Sequence, residues 1–215
     1  MSKKYKQKNK KDAEEIIKIL IKYYDDAKCG LDFESPFYLV VALILAAQCT
    51  DKRVNQITPV LFKRYSTIKE IAEANLNEVS NIVKTCGFYR NKAFSIIESA
   101  KIICDKFNGI VPDTMEELTT LRGIGRKSAN IILQECFDKT QGIAVDTHVT
   151  RISRKIGFSN ANSQDKIEKE LTTLFDKKYW KSINHSLVWH GREMCIARRP
   201  RCDECPITNI CNKND

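Results

Sequence analysis

Residues 118–148 read LTTLRGIGRKSANIILQECFDKTQGIAVDTH, and this stretch decides how the rest of the chain is organised. Gly123 and Gly125 flank a single apolar residue, Ile124, and Arg126-Lys127 follow at once on what reads as the first turn of a helix. Glycines permit positive φ and close approach of another molecule to the backbone. The amides of a helix start have no intrahelical partner and attract anions such as phosphate. Ile124 is an apolar plug for the gap between the helices on either side. Lys127 brings a primary amine to the loop, and Asp146 arrives after the helix and a short connection, as a proton acceptor or a stabiliser of nearby positive charge. The plainer alternatives are a phosphate-binding lysine in a noncatalytic hairpin and an aspartate that merely caps the next helix.

Working outward, the 215-residue chain is long enough to bury a core without disulfides, as one large domain or two small ones. A formal net charge of +9 suits a polyanionic partner, nucleic acid first. The basic start, MSKKYKQKNKKDAEE, has no apolar core of a signal peptide. The longest apolar run, residues 37–47, is shorter than the ~20 residues that span a bilayer. A soluble intracellular protein of the cytoplasm or nucleoid, with no membrane partner, is therefore expected. The first ten residues read as a mobile, lysine-rich tail.

Helical signals run throughout. A first helix is predicted from near Asp12, with Glu15 as a capping-box-like partner, ending at Gly30. Ser35-Pro36 predicts an N-cap and first helical residue for an almost wholly apolar helix that belongs in the middle of its domain. Its polar end is Gln48-Cys49-Thr50-Asp51. A helix over about 52–65 is expected to be distorted or divided at Pro59. Shorter helices follow from Ser66-Thr67 and from Asn75 or Asn77, the latter stopping at Gly87. Residues 88–91 read as a turn with exposed aromatics before a helix to Phe107. The hairpin helices are predicted over 115–120 and from Arg126 to about Phe137, and further helices over about 147–155, 163–175 and 180–191. No convincing strand appears, so the fold class is all-α.

Nine cysteines in such a chain are thiols or metal ligands rather than a disulfide framework. Cys29, Cys49, Cys86, Cys104 and Cys136 are scattered among apolar residues and read as small core side chains. Cys195, Cys202, Cys205 and Cys211 are spaced Cys-x6-Cys-x2-Cys-x5-Cys, close enough to enclose one metal centre, with zinc and iron–sulfur both open on spacing alone.

From about Leu31 to Cys211 the chain resembles the endonuclease III family of helix-hairpin-helix DNA glycosylases. The resemblance is carried by AAQCTD near residue 48, GFYRNKA near residue 88, LRGIGRKSAN, IAVDTH and the four-cysteine tail. It implies a six-helix barrel lobe over 29–139, containing the helix-hairpin-helix at about 115–137. A second lobe would combine 1–28 with 140–215, with a DNA cleft between the two. It favours a [4Fe–4S] cluster on the four tail cysteines, pinning a loop that offers Arg198, Arg199 and Arg201 to DNA phosphates. It also implies a bifunctional glycosylase and abasic-site lyase acting as a monomer on damaged double-stranded DNA, with oxidised pyrimidines of the thymine glycol type as substrates. Lys127 and Asp146 would be catalytic, and the hairpin residues Gly123, Ile124, Gly125 and Arg126 would hold DNA. Gln48 and Phe88 would fill the hole left by the flipped base, and Asp51 and His148 would line the base pocket. At the Phe88 position the family usually has an aliphatic residue. Without the family, Gln48 is an ordinary helix-end residue and Phe88 a core aromatic. Competing readings are a glycosylase with another base preference, such as a mismatched or alkylated base, a noncatalytic redox-sensing DNA-binding protein, and a zinc-stabilised adaptor.

Overall fold

The computed structural model describes residues 6–212, and all the regular elements among them are helical. The chain divides into two compact units, one formed by residues 29–139 and the other by residues up to 28 together with those from 140 onward.

The 29–139 unit is built around α2 (Pro36–Ala46). Ser35 caps it, its hydroxyl accepting from the Tyr38 amide, and Pro36 occupies the first turn where no donor is needed. Phe37 and the run from Leu39 to Leu45 are buried, so the helix is covered on every side. It packs on α3 (Asp51–Arg64), α6 (Tyr89–Phe107) and α8 (Arg126–Cys136). Burying each large apolar side chain of α2 contributes roughly 1.5–3 kcal/mol. Three helices run as short pieces: α4 (Ile68–Ala72), with the full Thr67/Glu70 capping box, α5 (Leu76–Ile82), capped by Asn75, and α7 (Met115–Leu118), capped by Thr114.

The structure corrects three boundaries here. Pro59 does not divide α3, which continues through it on an exposed face. Asp51 belongs to the first turn of α3 rather than to the end of α2, because Thr50 takes the N-cap. Residues 89–91 are helical, since Phe88 in the left-handed region already starts α6.

The other unit assembles α1 (Lys10–Tyr23) with α9 (Thr147–Ile156), α10 (Gln164–Leu174) and α11 (Trp180–Trp189). Ile16, Ile17 and Leu20 of α1 join Val149, Ile152, Ile156, Ile167, Leu171, Ile183 and Leu187 in one core, beside the edge-to-face pair Phe158–Phe175. Helix α1 starts earlier and stops earlier than expected. Asn9, not Asp12, is its cap, accepting from the Asp12 amide at 2.9 Å, and Tyr24 closes it well before Gly30. Residues 6–9 are not a free tail. The Lys8 amide donates to the Gly157 carbonyl and Asn212 Nδ2 to the Lys6 carbonyl, at 2.8 and 2.6 Å. Gly157 has φ +96°, and a Cβ there would collide with the Lys6 carbonyl. Residues 1–5 of the predicted tail lie outside the described residues. Past Trp189 the helix widens into a π turn over His190–Met194, where a continuous helix to Gly191 was predicted. No helix among the described residues is long and apolar enough to cross a membrane.

Candidate active site and cluster site

The hairpin loop is seated on α6. Ser99 donates to the Arg122 carbonyl at 2.9 Å, and the Arg122 guanidinium lies over the Phe94 ring at 4.7 Å. The two glycines differ in role. Gly123 has φ +85°, and a Cβ there would touch Ile44 and Ser95 at 3.4 Å. Gly125 is extended, with open space where a Cβ would be, and it stands as the N-cap of α8. Ile124 is 4% exposed and belongs to the core, and its amide donates to the Leu121 carbonyl at 3.1 Å. Arg126 and Lys127 follow on the exposed first turn of α8. An open groove beside the loop is lined by Glu98, Ile102 and residues 119–125.

Lys127 and Asp51 are two of the charges acting on the half-buried Cys29 thiol, which desolvation pushes up to about 11. Asp51 is half-buried in the first turn of α3. Gln48 and Phe88 are both exposed and both left-handed, with φ of 53° and 45°. At 67% exposure Phe88 is no core aromatic.

In the other unit, Asp146 is the N-cap of α9, one carboxylate oxygen accepting from the Val149 amide at 2.8 Å. The backbone leading to it is held by Asn184, whose Nδ2 donates to the Ala144 carbonyl at 2.6 Å. His148 is half-buried, and its Nδ1 lies where a Cβ on Gly191 would come within 2.9 Å.

The four tail cysteines line one small cavity of about 20 Å³, together with Ile156, His190, Met194 and Pro200. All four are free thiols. No three His, Cys, Asp or Glu side chains among the described residues converge on a single-ion site. Thiols that ring a void rather than meet at a point fit a cluster better than one zinc, whose Zn–S bonds are only ~2.3 Å. The site also has partners that sequence reasoning missed. Arg151 donates to the Cys195 carbonyl at 2.5 Å and to the Gly191 carbonyl at 3.1 Å. His190 lies between the Tyr24 hydroxyl, 3.2 Å from Nδ1, and the Cys205 sulfur, 3.9 Å from Nε2. Burial, then the Arg151 and Lys155 charges, push its pKa down to about 4, so the imidazole is neutral. A histidine five residues before the first cysteine is the only sequence hint of this. Arg198 and Arg199 are exposed on the cysteine loop, while Arg201 is already bonded to Glu204 at 2.5 Å.

A model of the HhH-GPD superfamily of base excision DNA repair proteins matches residues 41–177, and one of the iron–sulfur binding domain of endonuclease III matches residues 195–211. Endonuclease III of Synechocystis sp. is 42% identical over 202 residues, covering 94% of this chain and 92% of its own. The chain belongs to the endonuclease III family. Endonuclease III of Bacillus subtilis is 39% identical, over 88% of this chain and 87% of its own. The structure of a trapped endonuclease III–DNA covalent intermediate superposes with a TM-score of 0.91 at 36% identity, covering 95% of this chain and 96% of that one. A thermostable thymine-DNA glycosylase shares the fold at 19% identity, with a TM-score of 0.83. As an endonuclease III family member the chain is a DNA glycosylase and abasic-site lyase of base excision repair, and it carries a [4Fe–4S] cluster.

Proposed function

We propose that this enzyme removes oxidised pyrimidines, thymine glycol among them, from duplex DNA and then cuts the strand 3′ to the abasic site through Lys127. The observation that carries the proposal is an exposed lysine on the first turn of α8, directly after the hairpin loop. A relative that shares this fold at 36% identity has been trapped as a covalent DNA intermediate. A primary amine that attacks C1′ expels the base and forms a Schiff base with the sugar. The imine acidifies C2′; loss of a C2′ proton and departure of the 3′ oxygen break the strand. Only the unprotonated amine attacks. Asp146, with one carboxylate oxygen committed to capping, is assigned to accept its proton and to stabilise positive charge developing on the sugar.

Gln48 and Phe88 would enter the stack in place of the flipped base, while Asp51 and His148 would line the pocket that receives it. Backbone amides of Gly123, Gly125 and Arg126 and the exposed Arg198 and Arg199 would hold phosphates, with Arg201 contributing only if it exchanges Glu204 for DNA. Cys195, Cys202, Cys205 and Cys211 would hold the cluster, whose contribution is to brace the intervening loop. The enzyme would act as a monomer, inside the cell, where its substrate is.

Borohydride trapping on duplexes, each bearing one damaged base or an abasic site, tests this. A covalent adduct with thymine glycol DNA that Lys127→Ala abolishes is expected. Adducts confined to mismatched or alkylated bases would move the substrate class. Adducts with abasic sites alone would leave only the lyase, and binding without any adduct would leave a noncatalytic DNA-binding protein.

A further inference from the structure

One buried amine holds both loops that carry the candidate wedge residues. Lys92, in the first turn of α6, is 5% exposed. Its Nζ donates to the Leu45 carbonyl at 2.9 Å and to the Cys86 carbonyl at 2.5 Å. Leu45 lies in the last turn of α2, three residues before Gln48; Cys86 lies two residues before Phe88. The Lys92 amide also donates to the Phe88 carbonyl, at 3.1 Å.

Packing alone does not call for a lysine here. A cation near the start of a helix is opposed by the helix dipole, and its burial is unfavourable unless its donors are satisfied. Burial indeed pulls the Lys92 pKa down. Methionine would fill a similar volume with neither penalty. It could not bond two carbonyls from separate segments.

The loops it joins are the strained ones. Among the described residues the non-glycine positions with positive φ are Gln48, Phe88, Asn108 and Asp138. Asn and Asp visit this region readily; Gln and Phe do so only under strain. Such strain persists only where the surroundings impose it, and it gathers at functional sites. Gln48 and Phe88 are far apart in sequence but share one determinant, the Lys92 ammonium.

We propose that Lys92 is a positioning residue for base extrusion, tying the Leu45 and Cys86 carbonyls together and thereby presenting Gln48 and Phe88 as one preformed wedge. This rests on the wedge reading of those two residues.

The test compares Lys92→Met with Phe88→Ala and wild type on two substrates: a damaged base fully paired in a duplex, and an abasic site in a single strand, where no stack has to be opened. A 2-aminopurine beside the paired lesion reports unstacking on binding. Both variants are expected to excise the paired lesion on the order of 10- to 100-fold more slowly in single turnover and to lose the fluorescence rise, while trapping of the single-stranded abasic site by Lys92→Met stays at the wild-type rate. Lys92→Gln, which keeps a donor for one carbonyl, is expected to fall between and serves if Lys92→Met does not fold. Wild-type excision and fluorescence in both Lys92 variants would overturn the proposal. So would equal loss on both substrates in step with a lower melting temperature, which marks a lysine that only stabilises the fold. A Phe88→Ala protein indistinguishable from wild type would instead sink the wedge reading itself, and a wild-type protein that traps on neither substrate would sink the assigned chemistry.

Discussion

The two units solve the same problem, covering helices with helices, by different means. Residues 29–139 are contiguous and close around α2, a helix apolar on every face. The other unit is assembled from two separated stretches of chain around a smaller apolar cluster. It supplements that core with buried polar contacts: Asn184 on Ala144, Tyr24 on His190, and Arg151 on Cys195 and Gly191. A small core gains most from a crosslink, and the cysteine-lined void lies in the unit that needs one. The comparison teaches that the unit carrying Lys127 is held together by packing. The unit carrying Asp146 adds to its packing a cavity lined by four cysteines.

The sharpest contrast comes from the two residues proposed to carry the chemistry. Lys127→Ala, at an exposed position, is expected to abolish the borohydride adduct while leaving the melting temperature unchanged. Asp146→Asn keeps an N-cap of equal quality and is expected to slow excision by on the order of 10²–10⁴-fold with the same melting temperature. A large thermal loss in Asp146→Asn would show that capping rather than chemistry dominates there. Next in size, Cys205→Ser is expected to remove the visible iron–sulfur absorption and hydrogen-exchange protection from α9 and α11, with α2 still protected. Uniform loss of protection would erase the contrast between the units. Leu39→Ala, in the middle of α2, is expected to cost ~2–5 kcal/mol by denaturant unfolding with the cluster absorption intact.

Much of this was legible because its causes are local. Ser35-Pro36, Thr67 with Glu70, and Asn75 announce helix starts within four residues of themselves. The hairpin is likewise contained in one short stretch, and the spacing of four cysteines exposes a metal site. What was hidden depends on distant partners. Lys92 looks like a surface charge until Leu45, 47 residues away, supplies its carbonyl. His190 is explained only by Tyr24, 166 residues before it. Residues 6–9 look free in sequence because what restrains them is Gly157 and Asn212. Asp146 was read as either a cap or a catalytic group, and the capping bond it makes leaves its second oxygen for the chemistry proposed.

The smallest expected effect concerns the cysteine loop. Arg198→Ala and Arg199→Ala should each weaken binding to all DNA sequences alike and reduce the salt dependence of log K by about one. Arg201→Ala should do less, because Glu204 already holds that guanidinium. Equal slopes for all three would mean that the Glu204 pair opens freely on DNA.

The split composition of the second unit has a consequence during synthesis. Helix α1 leaves the ribosome first, yet the helices that cover Ile16, Ile17 and Leu20 come from beyond residue 140. At typical elongation rates the interval is on the order of ten seconds. By its end the 29–139 stretch has all it needs to close, while α1 still waits as an amphipathic segment with a bare oily flank. Newborn chains would therefore be most exposed to chaperones and proteases at α1.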